Sequence, residues 1–195
     1  MTAMYLPSLP VLAFVAVAVA LAIAWWWSTR LKVSPEPIAL MVTRVGFPKG
    51  LRIHDLQKAM AMLEKPDEIV IPFEHATLVI DFPLTVPATV PIHAALPQGF
   101  TRGELLRAIC EEYAHVYDAE EGTAHTKPLP PEERGERPER NRTDGAYGIW
   151  GHDLEDLVLT SARWVRQSND NVRIELHVEA VAKPAPPDQG QLPAQ

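Results

Sequence analysis

Ionisable and aromatic side chains are concentrated in one short stretch, residues 145–156, which reads Gly-Ala-Tyr-Gly-Ile-Trp-Gly-His-Asp-Leu-Glu-Asp. If a helical turn begins at Asp153, then His152 and Asp156 lie four residues apart on one side of it, near its positive end. A histidine and a carboxylate so placed could hold a divalent metal or an anion. They could also act as a general base and its orienting acid. We therefore take His152, Asp153 and Asp156 as the catalytic candidates.

Four aromatic residues are the candidates for contacting a ligand. Tyr147 and Trp150 lie beside the ionisable residues and could shape a pocket around them. Tyr113 and Tyr117 fall on the apolar side of a predicted helix, from which they could line a pocket. Tyrosines at such positions also serve as core residues with the hydroxyl at the edge. Both interpretations remain open from the sequence.

A structural role explains the same stretch without any chemistry. Gly148 and Gly151 would permit a tight turn, Trp150 would fill the edge of the core, and Asp153 would cap a short acidic turn. The sequence contains no HExxH, no P-loop, no GxSxG, no CxxC pair and no spaced third metal ligand. We therefore assign no metal and no cofactor, and an enzymatic role is disfavoured.

The strongest helix signal covers residues 101–119. Thr101 and Glu104 form the pattern of a capping box, in which each side chain bonds the other residue's backbone N–H. Apolar residues then recur at helical spacing: Leu105, Leu106, Ile109, Cys110, Tyr113, Val116 and Tyr117. Cys110, the one cysteine, falls on this stripe and is predicted to be a small core residue.

Strands are predicted from alternation. Every even position from Ala76 to Leu96 is apolar, which is the period of two expected of a strand. This stretch is too long for one strand, so a break is required near residues 82–85. Prolines at odd positions of the second half predict an edge strand there. Further elements are predicted as follows: a strand over 38–47, a helix carrying Ile53, Leu56, Met60 and Leu63, and two strands over 158–166 and 172–181 joined by a turn at 168–171.

An apolar run without charge, residues 11–27, predicts a transmembrane helix that ends in three tryptophans. The alternative is a cleaved signal peptide, since Ala22-Ile23-Ala24 has the small-x-small form of a cleavage site. Arg30 and Lys32 follow the run directly, so the positive-inside rule predicts a cytoplasmic C-terminal domain.

Composition limits the partners. The 195 residues carry 25 acidic and 18 basic side chains, a net charge of −7, which excludes a broad electrostatic surface for nucleic acid. We predict contact with the lipid bilayer through residues 11–27 and contact with a protein partner. The predicted layout is an anchor (1–29), a linker (30–37), an α+β domain (38–182) with a mobile loop (120–144), and a disordered tail (183–195).

The predicted fold is α+β: an N-terminal transmembrane helix, then a small, mainly antiparallel sheet with about two helices packed on one face. Two functions follow. The first is a single-pass membrane protein whose cytoplasmic domain is an interaction or scaffolding module, contacting partners through the proline-bearing edge or residues 147–156. The second is a membrane-tethered hydrolase or metal-dependent enzyme that uses His152, Asp153 and Asp156. A third interpretation, an exported lipid or ligand carrier, requires the signal peptide and an enclosed cavity.

Overall fold

Helices are interspersed among the strands along the chain. The computed structural model describes residues 38–134 and 139–181. Its strands are β1 (Ala39–Arg52), β2 (Ile69–Ile71), β3 (His75–Ile80), β4 (Ala88–His93), β5 (Phe100–Thr101), β6 (Leu157–Gln167) and β7 (Val172–Ala180). The helices are α1 (Leu56–Met62) and α2 (Arg102–Thr123), and 3-10 turns lie at Pro131–Glu133 and Leu154–Asp156.

The main sheet of the described residues has five strands in the order β1-β6-β7-β3-β4. Its neighbours are antiparallel except β3 and β7, which run parallel. A small antiparallel pair, β2 and β5, lies apart from it. The prediction of a mainly antiparallel sheet is therefore consistent with the structure. The parallel contact has no signal in the sequence, because it joins strands about 95 residues apart, Thr77 opposite Arg173.

One hydrophobic core joins the helices to one face of the sheet. The period of two directs alternate residues of each strand inward, among them Leu78, Ile80 and Ile174, all fully buried. Helix α2 adds Leu105, Leu106, Ile109 and other residues of its predicted stripe. Its capping box at Thr101 and Glu104 is present, as predicted. The burial of the stripe and the cap together explain why this segment is helical.

The alternating stretch of residues 76–96 folds into a hairpin. Strand β3 ends at Ile80 and β4 begins at Ala88, so the predicted break near residues 82–85 is confirmed. The two strands pair residue for residue, from His75 opposite His93 to Ile80 opposite Ala88. Strand β4 is the last strand of the sheet, which confirms the predicted edge position of the proline-bearing segment.

We correct the predicted transmembrane architecture. None of the helices in residues 38–134 and 139–181 is both long and apolar enough to cross a membrane. Helix α1 has only 7 residues, and α2, with 22, carries charged residues on its exposed side. The predicted anchor, residues 11–27, lies outside the described residues. The single-pass architecture, both membrane-anchored functions and the cytoplasmic location are therefore not carried forward.

Candidate functional site

The stretch that carries the candidate residues is organised by a carboxylate from α2. Glu120 is completely buried in the last turn of the helix. One of its oxygens accepts hydrogen bonds from the Thr143 hydroxyl (2.5 Å) and the Gly145 N–H (2.8 Å). The other accepts from the backbone N–H groups of Tyr147 (2.7 Å) and Gly148 (3.0 Å). A ring of backbone donors of this kind is an anion-binding nest, and here the protein's own side chain fills it.

The nest requires a glycine at one position. A Cβ atom on Gly145 would lie 2.6 Å from the backbone oxygen of Glu120 and 2.7 Å from its carboxyl carbon. The remaining donor of the loop, the Ala146 N–H, bonds the hydroxyl of Thr123 at 2.9 Å. All four backbone N–H groups of residues 145–148 therefore bond side chains near the C-terminal end of α2.

The hydrogen bonds determine the charge of Glu120. Burial alone raises the pKa of the carboxyl, but the Thr143 hydroxyl and the backbone donors of Tyr147, Gly145 and Gly148 outweigh burial. The net effect lowers the pKa below its usual range. The carboxylate is ionised at neutral pH and serves as an acceptor that holds the loop.

Asp153, a catalytic candidate, is part of a buried ion network. Its carboxylate accepts two hydrogen bonds from Arg134, at 2.6 and 2.9 Å, and one from Arg140 at 3.4 Å. The side chains of Arg134 and Arg140 are 4% and 5% exposed. Hydrogen bonding to Asp153 raises the pKa of Arg134 despite burial. These interactions fix Asp153 in place and hold its charge against two guanidinium groups.

Asp156 and His152 are not paired with each other as a base and its orienting acid would be. The Asp156 carboxylate accepts the backbone N–H of Asp153 at 3.0 Å and forms a capping box over the 3-10 turn. The His152 ring packs against Phe82, with ring centroids 5.3 Å apart. This arrangement agrees with the capping role for Asp153 that the structural interpretation predicts.

The two candidate tyrosines of α2 use their hydroxyls to hold loops. Tyr113 is fully buried and donates to the carbonyl of Phe82 at 2.9 Å. Tyr117 donates to the carbonyl of His152 at 3.0 Å, and the guanidinium of Arg140 lies 5.3 Å from its ring centre. Burial raises the pKa of both hydroxyls well above the usual range, so they act as hydrogen-bond donors and not as bases.

The candidate catalytic and ligand-contacting residues do not line one common cleft. Tyr117 and Asp153 line one cleft of about 420 Å³ together with the two arginines. Tyr147 lines another hollow, of about 370 Å³, with Thr85 and Arg142. Trp150 is 46% exposed and contacts Phe82 and His152 on the surface. Within the described ranges, no group of three or more His, Cys, Asp or Glu side chains is placed to hold a metal.

Three residues that organise this region were missed from the sequence. Glu120 falls in the predicted mobile loop, residues 120–144, although it continues the spacing of the buried stripe, seven residues after Tyr113. A charged residue on an apolar helix face, followed by a glycine-rich stretch, is the signal that could have identified it. Arg134 and Arg140 fall in the predicted mobile loop, residues 120–144, and nothing in their local sequence indicates burial.

A second feature, the outer edge of β1, had no prediction attached to it. Within the described residues, β1 has β6 on one side and no strand on the other. Large apolar side chains are exposed at its start, on Ile38 just before the strand (72%) and on Leu40 (63%), Met41 (48%) and Val42 (52%) within it. Residues 38–43 contain no charge, proline or glycine. We call residues 38–44 the open edge.

The remainder of both sheet edges is protected. Beyond the open edge, Arg102 donates to the carbonyl of Gly46 at 3.0 Å, and the register of β1 shifts between Gly46 and Leu51. At the other side of the sheet, β4 carries Pro91, which has no N–H to offer an added strand. Bulges, prolines and charged side chains are the usual means by which proteins block strand addition. Before Arg44 the open edge has no proline and no charge, and its register with β6 shifts once, between Ala39 and Met41.

No protein-family model, curated protein or solved structure matches this chain.

Proposed function

We propose that this domain is a self-association domain, in which the open edge of one copy pairs antiparallel with the open edge of a second copy. The observation that carries the proposal is the contrast between the two sheet edges: one is protected by proline, and the other is apolar and uncharged over residues 38–43. An apolar edge without proline or charge favours the addition of a strand.

A second copy fits the open edge because the segment is complementary to itself. In an antiparallel pair centred on Met41, Leu40 would face Val42 of the second copy, and Arg44 would face Ile38. Apolar residues then oppose apolar residues, and the single charge does not face its own equivalent. The Arg44 side chain is also held away by a hydrogen bond to Ser161 at 3.1 Å.

The size of the open edge limits the strength of association. Seven residues extend over roughly 23 Å, and a single added strand buries less than the ~1,200 Å² of a standard stable interface. We therefore expect a weak, concentration-dependent dimer. Sedimentation equilibrium of the full chain between about 10 and 500 µM covers the range in which such an interface associates.

The test compares two valines of equal exposure. Val42→Lys places two like charges in the pairing and should weaken self-association at least about tenfold, since a lost apolar contact costs roughly 1.5 kcal/mol or more. Val86→Lys is the matched control, because Val86 is 54% exposed, against 52% for Val42, and lies outside the open edge. A monomer at all concentrations, or equal association of the two variants, would refute the proposal.

A cross-link tests the pairing itself. Residues that face each other in an antiparallel pair have Cα atoms about 4.5–5.5 Å apart, within disulfide range. Met41→Cys should therefore give a disulfide-linked dimer under mild oxidation, whereas Leu96→Cys, at a position that is 52% exposed outside the open edge, should not. Cys110 is buried and does not interfere. Equal cross-linking at both positions would count against pairing through β1.

A further inference from the structure

Two histidines face each other on the β3–β4 hairpin, at the opposite side of the sheet from the open edge. His75 and His93 are directly opposite in the register of the strands. Their Nδ1 atoms are 2.6 Å apart, with ring centroids at 4.8 Å and ring planes at 82°. Both residues are exposed. Two nitrogen atoms therefore converge on one point at the surface, where solvent can reach them.

We propose that His75 and His93 form a binding site for one divalent transition-metal ion, with Cu(II) as the ion of best fit. Imidazole nitrogen is a ligand that copper, nickel and zinc all accept. The site supplies two ligands from the protein and leaves the other coordination positions to water or to an exogenous group. This proposal does not depend on self-association through β1.

The distance between the nitrogens is short enough for both to bind one ion after a small movement. Two nitrogens at about 2.05 Å from an ion are about 2.9 Å apart at a right angle and about 3.3 Å apart at the tetrahedral angle. From 2.6 Å, the side chains must separate by about 0.3 Å for the first geometry and about 0.7 Å for the second. Exposed side chains can make either movement, so the choice among the ions rests on their order of affinity for imidazole ligands. Of these ions, Cu(II) binds such ligands most tightly.

Metal binding requires one of the two histidines to carry its proton on the other ring nitrogen. Without a metal, a contact of this length requires one Nδ1–H to donate to the other ring's Nδ1 lone pair. With a metal, both Nδ1 lone pairs point to the ion, so the donor ring must carry its proton on Nε2 instead. This change of tautomer leaves both Nδ1 lone pairs available to the ion.

A neighbouring carboxylate favours the tautomer that binds a metal. Glu74 Oε2 lies 4.0 Å from Nε2 of His75, on the side of the ring away from His93. A small rotation of this exposed side chain would let it accept the Nε2–H. A carboxylate at the outer nitrogen of a metal-binding histidine orients the ring and makes it a better ligand.

The experiment uses the full chain and Cu(II) alone. Electron paramagnetic resonance with one equivalent of Cu(II) should show hyperfine coupling to two imidazole nitrogens. His75→Gln and His93→Gln should each lose one nitrogen and weaken Cu(II) binding at least tenfold in a titration. The matched control is His177→Gln, an exposed histidine on β7 that should leave both readouts unchanged.

The proposal also makes a prediction for the unmodified protein. Paramagnetic broadening of the amide signals by substoichiometric Cu(II) should affect the residues around His75 and His93 before the rest of the domain. This measurement stands even if a variant does not fold. Coupling to a single nitrogen, broadening centred elsewhere, or unchanged binding in folded His75→Gln and His93→Gln variants would overturn the assignment.

Discussion

Glu120 offers the sharpest test of how α2 holds the candidate residues, and the test is Glu120→Gln. Glutamine keeps the shape of the side chain but replaces one acceptor oxygen with an NH2 group. Four donors point at the carboxylate, two at each oxygen. The effect therefore depends on which pair of donors the NH2 group faces.

The structure indicates the orientation of the new amide. If the NH2 group faced Tyr147 and Gly148, two backbone N–H groups would lose their acceptor. If it faced Thr143 instead, the Thr143 hydroxyl could accept from it and donate to the carbonyl of Ile149, already 3.2 Å away. Only the Gly145 N–H would then be left without a partner. We expect the second orientation, because it leaves one buried donor unsatisfied and not two.

The magnitude follows from this count. One unsatisfied buried donor costs about 1–3 kcal/mol, and replacing a charged acceptor by a neutral one adds roughly 1 kcal/mol. We predict that Glu120→Gln lowers the free energy of unfolding by about 2–4 kcal/mol. Glu120→Ala should cost more, because all three backbone donors lose their acceptor. Urea denaturation at pH 7, followed by circular dichroism, measures both.

A neighbouring residue provides the control. Glu121 has the same side chain one position later, but that side chain is 51% exposed and lies 3.3 Å from Arg140. Glu121→Gln should change the free energy of unfolding by no more than about 1 kcal/mol. If Glu120→Gln were as mild as Glu121→Gln, the account of the carboxylate nest would be refuted.

The stability difference between wild type and Glu120→Gln should depend on pH. The folded-state pKa of Glu120 is lowered, so its contribution to stability is present above the unfolded pKa near 4.5 and is lost as the pH falls through the folded pKa. Glutamine does not titrate in this range. The difference in unfolding free energy between wild type and Glu120→Gln should therefore shrink as the pH is lowered from 6 towards about 3. A constant difference would contradict an ionised Glu120.

Three further substitutions, the first with a matched control, test the same region by thermal or urea unfolding. Gly145→Ala should destabilise by about 2 kcal/mol or more through its clash with the α2 carboxylate, whereas Gly122→Ala, where an added Cβ meets nothing within 4 Å, should be neutral or stabilising. Tyr113→Phe leaves the carbonyl of Phe82 without its 2.9 Å donor and should cost about 1–2 kcal/mol; no change would indicate that this bond is dispensable. Asp153→Ala leaves two buried guanidinium groups without their shared acceptor and should cost about 3–5 kcal/mol, and a loss below 1 kcal/mol would show that the network is not stabilising.

Elements fixed by interactions between residues close in the sequence could be predicted, whereas contacts between distant residues could not. Helix α2 was located from its capping box and apolar stripe, and the β3–β4 hairpin from its alternation and prolines, because each signal lies within a few turns or within one hairpin. The role of Glu120 was missed because its partners lie 23 to 28 residues further along the chain. The predicted anchor rests on the apolar run, its tryptophans and the basic residues after it, and no helix of residues 38–134 or 139–181 is long and apolar enough to cross a membrane.

Local periodicity and turn chemistry in the sequence therefore determined which segments are strands and helices and which face of each is apolar. Tertiary structure alone decided the strand order, and with it that β1 and β4 form the two edges of the described sheet. It also decided that Asp153 is neutralised by two arginines and that His75 meets His93. The physical reason is that a side chain's type and spacing fix what it can bond, whereas its actual partner depends on which distant segments the core brings beside it.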